Sequence, residues 1–217
     1  MNVAIIGASG YTGLELIKIL INHPKFNIAY IANSSGEMNV QDLHPCLKNV
    51  INMDVSLANA SEVAKVADLA FLALPHKTAM AFAKDLLNLG VKVVDLSADY
   101  RLSLENYEKH YCEHEDKEHI NEAVYGLPEY FKEDIKTAKL IANPGCYPTA
   151  SLLALLPFID YIDTDAQIFI DAKSGVSGAG KNPSDTTHYC QINDNVHAYN
   201  PFKHRHMPEI NEKVKII

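Results

Sequence analysis

Apolar and polar positions follow two different periods along this chain, and the switches between them mark out its elements. Residues 2–6, "NVAII", are an unbroken apolar run, the pattern of a strand buried on both faces. Across "LELIKILINH" (14–23) apolar positions recur every three or four residues, which predicts a helix, stopped by Pro24. "FNIAYIAN" (26–33) predicts a second strand, and a short helix around Ser61 to Val66 leads into a third, "DLAFLALP" (68–75). "TAMAFAKDLLNLG" (78–90) reads as an amphipathic helix closed by Gly90, and "VKVVDLS" as a fourth strand. "AKLIANPG" (138–145) predicts a fifth strand, with a helix, "CYPTASLLALLPFI", after it.

Strands alternating with helices imply an α/β fold, a doubly wound Rossmann-type parallel sheet with helices on both faces. Ligands of such sheets bind at the carboxyl ends of the strands. Four unusual segments are expected to converge there: Gly7 to Gly13, Leu74-Pro75-His76, Ser97-Ala98-Asp99 and Asn143 to Cys146. Beyond Cys146 the texture changes. "AQIFIDAKSG" (166–175) is strand-like, "SGVSGAGKNPSD" is a Gly/Ser-rich loop, and "MPEINEKVKII" (207–217) opens like a helix. A boundary near residue 145 separates residues 1–145 from the first part of an α+β domain, 146–217.

"GASGYTG" follows a strand and opens a helix, with glycines at 7, 10 and 13. Glycine permits the tight turn and close backbone approach, and the helix N-terminus offers free N–H groups to a pyrophosphate. Gly7, Ser9, Gly10, Tyr11, Thr12 and Gly13 are therefore candidate cofactor contacts, and 1–145 reads as a dinucleotide-binding domain. An NAD site usually ends its second strand on an acid that holds the ribose hydroxyl. Here Asn33, Ser34 and Ser35 stand instead, which favours the 2′-phosphate of NADP (NADPH), with Glu37 nearby opposing it.

"NPGCYPT" (143–149) sets Cys146 on a rigid corner, after a Pro-Gly turn and at the start of a helix. A thiolate there is stabilised by the helix macrodipole, so Cys146 is a candidate nucleophile. "HRHMPEI" (204–210) supplies an acid/base candidate, either His204 or His206, which share a face of an extended segment; His206, nearer the helix start, is the first choice.

These motifs together resemble the N-acetyl-gamma-glutamyl-phosphate reductases, a family of the semialdehyde dehydrogenase group. The matching segments are "GASGYTG", "FLALPH", "VVDLSADYRL", "VYGLPE", "NPGCYPT", "SGVSGAG" and "HRHMPEI", in family order along all 217 residues. The resemblance implies reduction of N-acetyl-glutamyl 5-phosphate by NADPH to the 5-semialdehyde, in arginine biosynthesis, through a thioester on Cys146. It places Ser177 and Gly178 in a loop over the cofactor, Pro75 and Ser97 beside the cofactor, and a homo-oligomer in the family's full-length form. It also implies that the substrate domain of this chain is incomplete, with apolar surface left exposed. Rival readings are a non-catalytic, redox-sensing dinucleotide-binding module and another acyl-phosphate reductase of the same group.

Composition narrows the remaining choices. Only two of the 19 basic residues are arginine, Arg101 and Arg205, and both fall in these motifs. A guanidinium fork grips carboxylate or phosphate in a way lysine does not, so both, with Asn143, are candidate substrate contacts. A net charge of −8 argues against nucleic acid and anionic membrane surfaces as partners. No 18-residue apolar run spans a membrane, and the reading is a cytoplasmic protein. Four scattered cysteines read as free thiols. "HYCEHEDKEH" (110–119) has histidines and a cysteine without metal-ligand spacing; it reads as a solvated polar loop, with no metal.

Overall fold

The computed structural model describes residues 1–163 and 167–216. The chain divides into two compact units, Met1–Asn143 and Pro144–Ile217.

The first unit is an eight-stranded sheet. Its elements in chain order are β1 (Asn2–Ile6), α1 (Tyr11–Ile21), β2 (Asn27–Asn33), β3 (Met38–Asn39), α2 (Val40–Leu43), β4 (Asp54–Leu57), α3 (Ala60–Val66), β5 (Leu69–Leu72), α4 (Thr78–Asn88), β6 (Lys92–Asp95), α5 (Leu104–His110), β7 (Val124–Tyr125), α6 (Pro128–Thr137) and β8 (Leu140–Ala142). The strands lie in the order β3-β4-β2-β1-β5-β6-β8-β7, all parallel except the β3–β4 pair. The order runs outward from β1 in both directions, so the switch point of the topology falls between β1 and β5, beside the glycine loop.

The apolar run in β1 is explained by burial on both sides. Val3 and Ile5 pack with Ile17 and Leu20 of α1, whereas Ala4 and Ile6 pack with Val63 of α3 and Met80, Ala83 and Leu86 of α4. α4 ends as expected: Gly90 takes a φ of +81°, with Gly90 N–H on Leu87 O and Val91 N–H on Leu86 O. β4 escaped the sequence reading because it is a four-residue strand with only Val55 fully buried, too short to show a period.

The segment read as a solvated loop at 110–119 is corrected by the structure. His114 and Asp116 are buried, and Asp116 accepts hydrogen bonds from Tyr100 OH (2.7 Å) and from His119 Nδ1 (2.9 Å). Burial first, and then that bond to Asp116, drive the Tyr100 pKa up, so the phenol keeps its proton and donates. Polar spacing alone does not reveal a polar group whose partners lie inside.

The second unit contains α7 (Cys146–Leu155), α8 (Tyr189–Ile192), α9 (Met207–Ile216) and 3₁₀ turns at Leu156–Tyr161, Val176–Ala179 and Asp185–Thr187. α7 packs on α9. The strand expected at 166–175 is not formed over 167–175; Ala166 lies outside the described residues. A strand needs a partner ladder for its backbone, and the second unit has no other strand among the described residues. Phe158, Tyr161, Phe169, Val196 and Phe202 of this unit are exposed. No helix among the described residues is long and apolar enough to cross a membrane.

Candidate active site

The glycine loop leaves β1 at Ile6 and enters α1 at Tyr11. Gly7 has a φ of +93°, and a Cβ there would lie 2.2 Å from Ala73 O, at the end of β5. A Cβ on Gly13 would lie 2.6 Å from Gly7 O and 2.7 Å from Ala8 Cα. Both glycines are thus required by backbone contact, before any ligand is considered. Ser9, Tyr11, Thr12 and Gly13 have N–H groups that donate to no protein acceptor among the described residues, and Tyr11 and Thr12 are exposed. An anion at the head of α1 meets open donors and the positive end of the helix dipole, so the loop fits a dinucleotide pyrophosphate.

β2 ends on Asn33, which is buried. Its Oδ1 accepts from Ser35 N–H (2.9 Å), Ser35 Oγ (3.2 Å) and Gly36 N–H (2.6 Å). Asn33 therefore shapes the turn, and Ser34, Ser35 and Glu37 are the exposed groups at the strand tip.

At the ends of β5 and β6 the expected loops are tied together by a buried carboxylate. Asp99 Oδ2 accepts from the backbone N–H of Lys77 (2.9 Å) and Met80 (3.1 Å), capping α4, and Oδ1 accepts from Tyr107 OH (2.7 Å). Lys77 takes a φ of +71°, an unfavourable value for a side-chain-bearing residue, and the Asp99 cap holds it there. His76 Nδ1 accepts from Ala98 N–H (3.0 Å), and Pro75 is exposed on the same loop. Ser97 is buried; its hydroxyl donates to Asp95 Oδ2 (2.7 Å) and accepts from Asp99 N–H (3.0 Å). Arg101 Nε donates to Asn143 O and Nη2 to Leu96 O, both at 2.7 Å, which sets the guanidinium plane at the ends of β6 and β8. Asn143 N–H donates to Asp95 O (2.8 Å).

Asp95 was not singled out from sequence. Burial pushes its carboxyl up to about 6, against the lowering effect of the Ser97 hydrogen bonds. The folded chain therefore holds this proton more tightly than the unfolded one, and stability from Asp95 falls as pH rises through the interval up to about 6, then stays level. The penalty is roughly 3 kcal/mol at pH 8 relative to pH 4. Asp95→Asn is expected to gain stability over wild type in urea melts at pH 8 and to lose most of that advantage near pH 4. An equal difference between the two proteins at both pH values would refute this account.

In the second unit Cys146 is the first residue of α7 and is exposed. Pro148, in the first turn, replaces an N–H that has no helical partner there, so the corner gains rigidity without losing a bond. Gly145 N–H donates to Glu209 Oε1 (3.0 Å), a buried carboxylate on α9. Glu209 sits within "HRHMPEI" but was not distinguished from the histidines beside it. Tyr147 packs edge-on against His204 (5.0 Å between centroids) and His206 (6.1 Å), and the two imidazoles lie 4.9 Å apart. The histidines do share a face, and Arg205 is exposed beside them.

His204 Nδ1 accepts from His206 N–H (3.1 Å), so in the neutral ring Nε2 carries the proton and donates to Tyr199 OH (3.2 Å). Tyr199 OH donates to Tyr147 OH (2.9 Å), which donates to Ser174 Oγ (2.9 Å). Burial first, and then the Arg205 charge, push the His204 pKa down, so the ring is neutral near pH 7. Ser177 and Gly178 lie on the exposed turn Val176–Ala179. The structure therefore gathers Gly7 to Gly13, Ser34, Ser35, Pro75, Ser97, Arg101 and Asn143 at strand ends of the first unit. Cys146, Ser177, Gly178, His204, Arg205 and His206 belong to the second.

Comparison with known proteins follows this division. Residues 2–138 match the semialdehyde dehydrogenase NAD binding domain, and residues 146–217 the semialdehyde dehydrogenase dimerisation domain. The chain is 60% identical over 99% of its length to the N-acetyl-gamma-glutamyl-phosphate reductase of a Sulfurovum species, and 58% identical over 99% to that of Wolinella succinogenes. It spans 64% of the length of each of these relatives. Among solved structures it is similar to aspartate semialdehyde dehydrogenase with NADP from Candida albicans (TM-score 0.56, 17% identity, 74% of this chain and 47% of that one). It is also similar to aspartate semialdehyde dehydrogenase II from Vibrio cholerae (TM-score 0.52, 22% identity, 73% and 46%). At those identities the likeness speaks for the fold.

Proposed function

The chain belongs to the semialdehyde dehydrogenase family, and from that premise we propose that it reduces N-acetyl-glutamyl 5-phosphate to the 5-semialdehyde with NADPH, a step of arginine biosynthesis. The observation that carries the reading is the exposed Cys146 at the head of α7, with its neighbour Tyr147 packed on His204 and His206. A redox-sensing module would have no use for that arrangement.

Cys146 Sγ gives its proton to a histidine and forms the S–C bond at the acyl carbon. The C–O bond to phosphate breaks, phosphate leaves, and a thioester remains on the chain. NADPH, when bound, supplies the hydride that reduces this carbonyl. Collapse of the resulting thiohemiacetal breaks the S–C bond, returns the electron pair to sulfur and frees the aldehyde; the histidine then gives the proton back to Cys146. His206 is assigned this proton, because both ring nitrogens of His204 are held, one by backbone and one by Tyr199. The N–H groups of Cys146 and Tyr147, which donate to no protein acceptor among the described residues, are the donors for the developing oxyanion.

Gly7 to Gly13 hold the pyrophosphate. Exposed Ser34 and Ser35 receive the 2′-phosphate, with Pro75, Ser97, Ser177 and Gly178 the remaining cofactor contacts. Arg101, Asn143 and Arg205 orient the substrate's carboxylate and phosphate. The match to a dimerisation domain supports a homo-oligomer. The test is the reverse reaction: N-acetylglutamate 5-semialdehyde, NADP and phosphate are supplied and NADPH absorbance is read. Phosphate-dependent turnover is expected; turnover with aspartate semialdehyde in preference would assign another acyl-phosphate reductase.

A further inference from the structure

We infer that His44 is a positioning residue for the cofactor pyrophosphate: it holds the Ala8 carbonyl inward and thereby keeps the Ser9 N–H turned toward the phosphates. This rests on the dinucleotide reading of the glycine loop. His44 is 7% exposed at the end of α2, where its own N–H donates to Val40 O (2.9 Å) and Pro45 follows. Its Nε2 lies 2.6 Å from Ala8 O. A carbonyl oxygen only accepts, so Nε2 carries the proton.

The loop is thus pinned from two sides. Gly7 N–H and Ala8 N–H both donate to Ala32 O of β2 (2.9 and 3.0 Å), and Ala8 C=O is taken by His44. A trans peptide is planar, with its C=O and N–H pointing opposite ways. Because Ala8 C=O points at a buried imidazole, the Ser9 N–H points away from it. That N–H donates to no protein acceptor among the described residues, as a phosphate donor must.

Removing the His44 donor leaves Ala8 O without a partner in a residue that is 0% exposed. The local relief is rotation of the Ala8–Ser9 peptide. Rotation puts an oxygen where a donor had faced the phosphates, so the loss falls on cofactor affinity. Nothing in "LHPCL" signals this role, since the contact joins residues 36 apart.

The experiment is titration of NADPH fluorescence on the whole chain, with circular dichroism to confirm folding. His44→Gln, whose amide nitrogen reaches the Nε2 position, is expected to bind NADPH like wild type. His44→Met, apolar and of similar volume, is expected to raise Kd about tenfold, the loss of one hydrogen bond's discrimination. His44→Asn, whose amide reaches only the Nδ1 position, is expected to weaken binding as Met does; if the Met variant does not fold, the Gln–Asn comparison decides. Equal NADPH affinity in Gln and Asn variants, or a Gln variant as weak as Met, overturns the inference, since packing rather than donation would then be what His44 supplies. A wild-type chain that binds neither NADPH nor NADH overturns the dinucleotide reading and this inference with it.

Discussion

Cys146→Ser is expected to lower phosphate-dependent NADP reduction by at least roughly 10⁴-fold, with NADPH affinity unchanged. Serine matches cysteine in shape, so α7, its Gly145 cap and the bond to Glu209 are preserved. What is removed is the sulfur that would form the thioester and leave again when the thiohemiacetal collapses. A hydroxyl is the weaker nucleophile and the poorer leaving group, and an oxygen ester is a poorer hydride acceptor than a thioester. The measurement is initial rate against phosphate concentration, wild type beside the variant, with NADPH fluorescence as the binding control. Retained turnover in the variant would remove Cys146 from the chemistry. Turnover absent from both proteins, with NADPH bound by both, would point to a reductase that needs more than the 64% of its relatives' length spanned here, and would leave the sensing module standing until a longer chain is assayed.

Gly7→Ala is expected to destabilise the first unit by roughly 3 kcal/mol or more and to abolish NADPH binding. Two costs combine. An L-residue at a φ of +93° loses its preferred backbone region, and the new Cβ would stand 2.2 Å from Ala73 O, a backbone atom with no flexible end to move. Relief requires β1 and β5 to part at the switch point, where Ala73 N–H is bonded to Ile6 O at 2.8 Å. For a chain of 217 residues the loss corresponds to a fall in melting temperature of roughly 6–12 °C. Gly10→Ala is the internal comparison. A Cβ there meets only Gly7 O, at 3.9 Å, and φ is −81°, so its cost is limited to that of a poorer helix cap, about 1 kcal/mol. Equal melting temperatures for the two variants would show that the loop's glycines are not distinguished by packing.

The parallel sheet was legible because β1, β2, β5 and β6 each carry a short apolar run bounded by glycine, proline or a helix, a signal contained within a dozen residues. β7, at two residues, and β4, with one buried side chain, carry too little pattern to be read. The segment 167–175 shows the opposite failure. Its apolar residues suit a strand, yet no neighbouring strand among the described residues of its unit accepts its hydrogen bonds.

At the candidate site the same division holds. Glycine spacing, the Pro-Gly-Cys corner and the paired histidines are local features, so a glycine turn between a strand and a helix, and a cysteine at the start of another helix, are legible from a few consecutive residues. What the buried polar residues do emerges only once distant parts of the chain are folded together. Asp99 caps a helix whose N-cap residue, Lys77, lies 22 residues before it, Arg101 holds a carbonyl 42 residues away, and His44 holds one 36 residues away. A buried polar group is defined by its partners, since a lone one is costly in any fold, and partners brought together from distant parts of the chain leave no spacing to read.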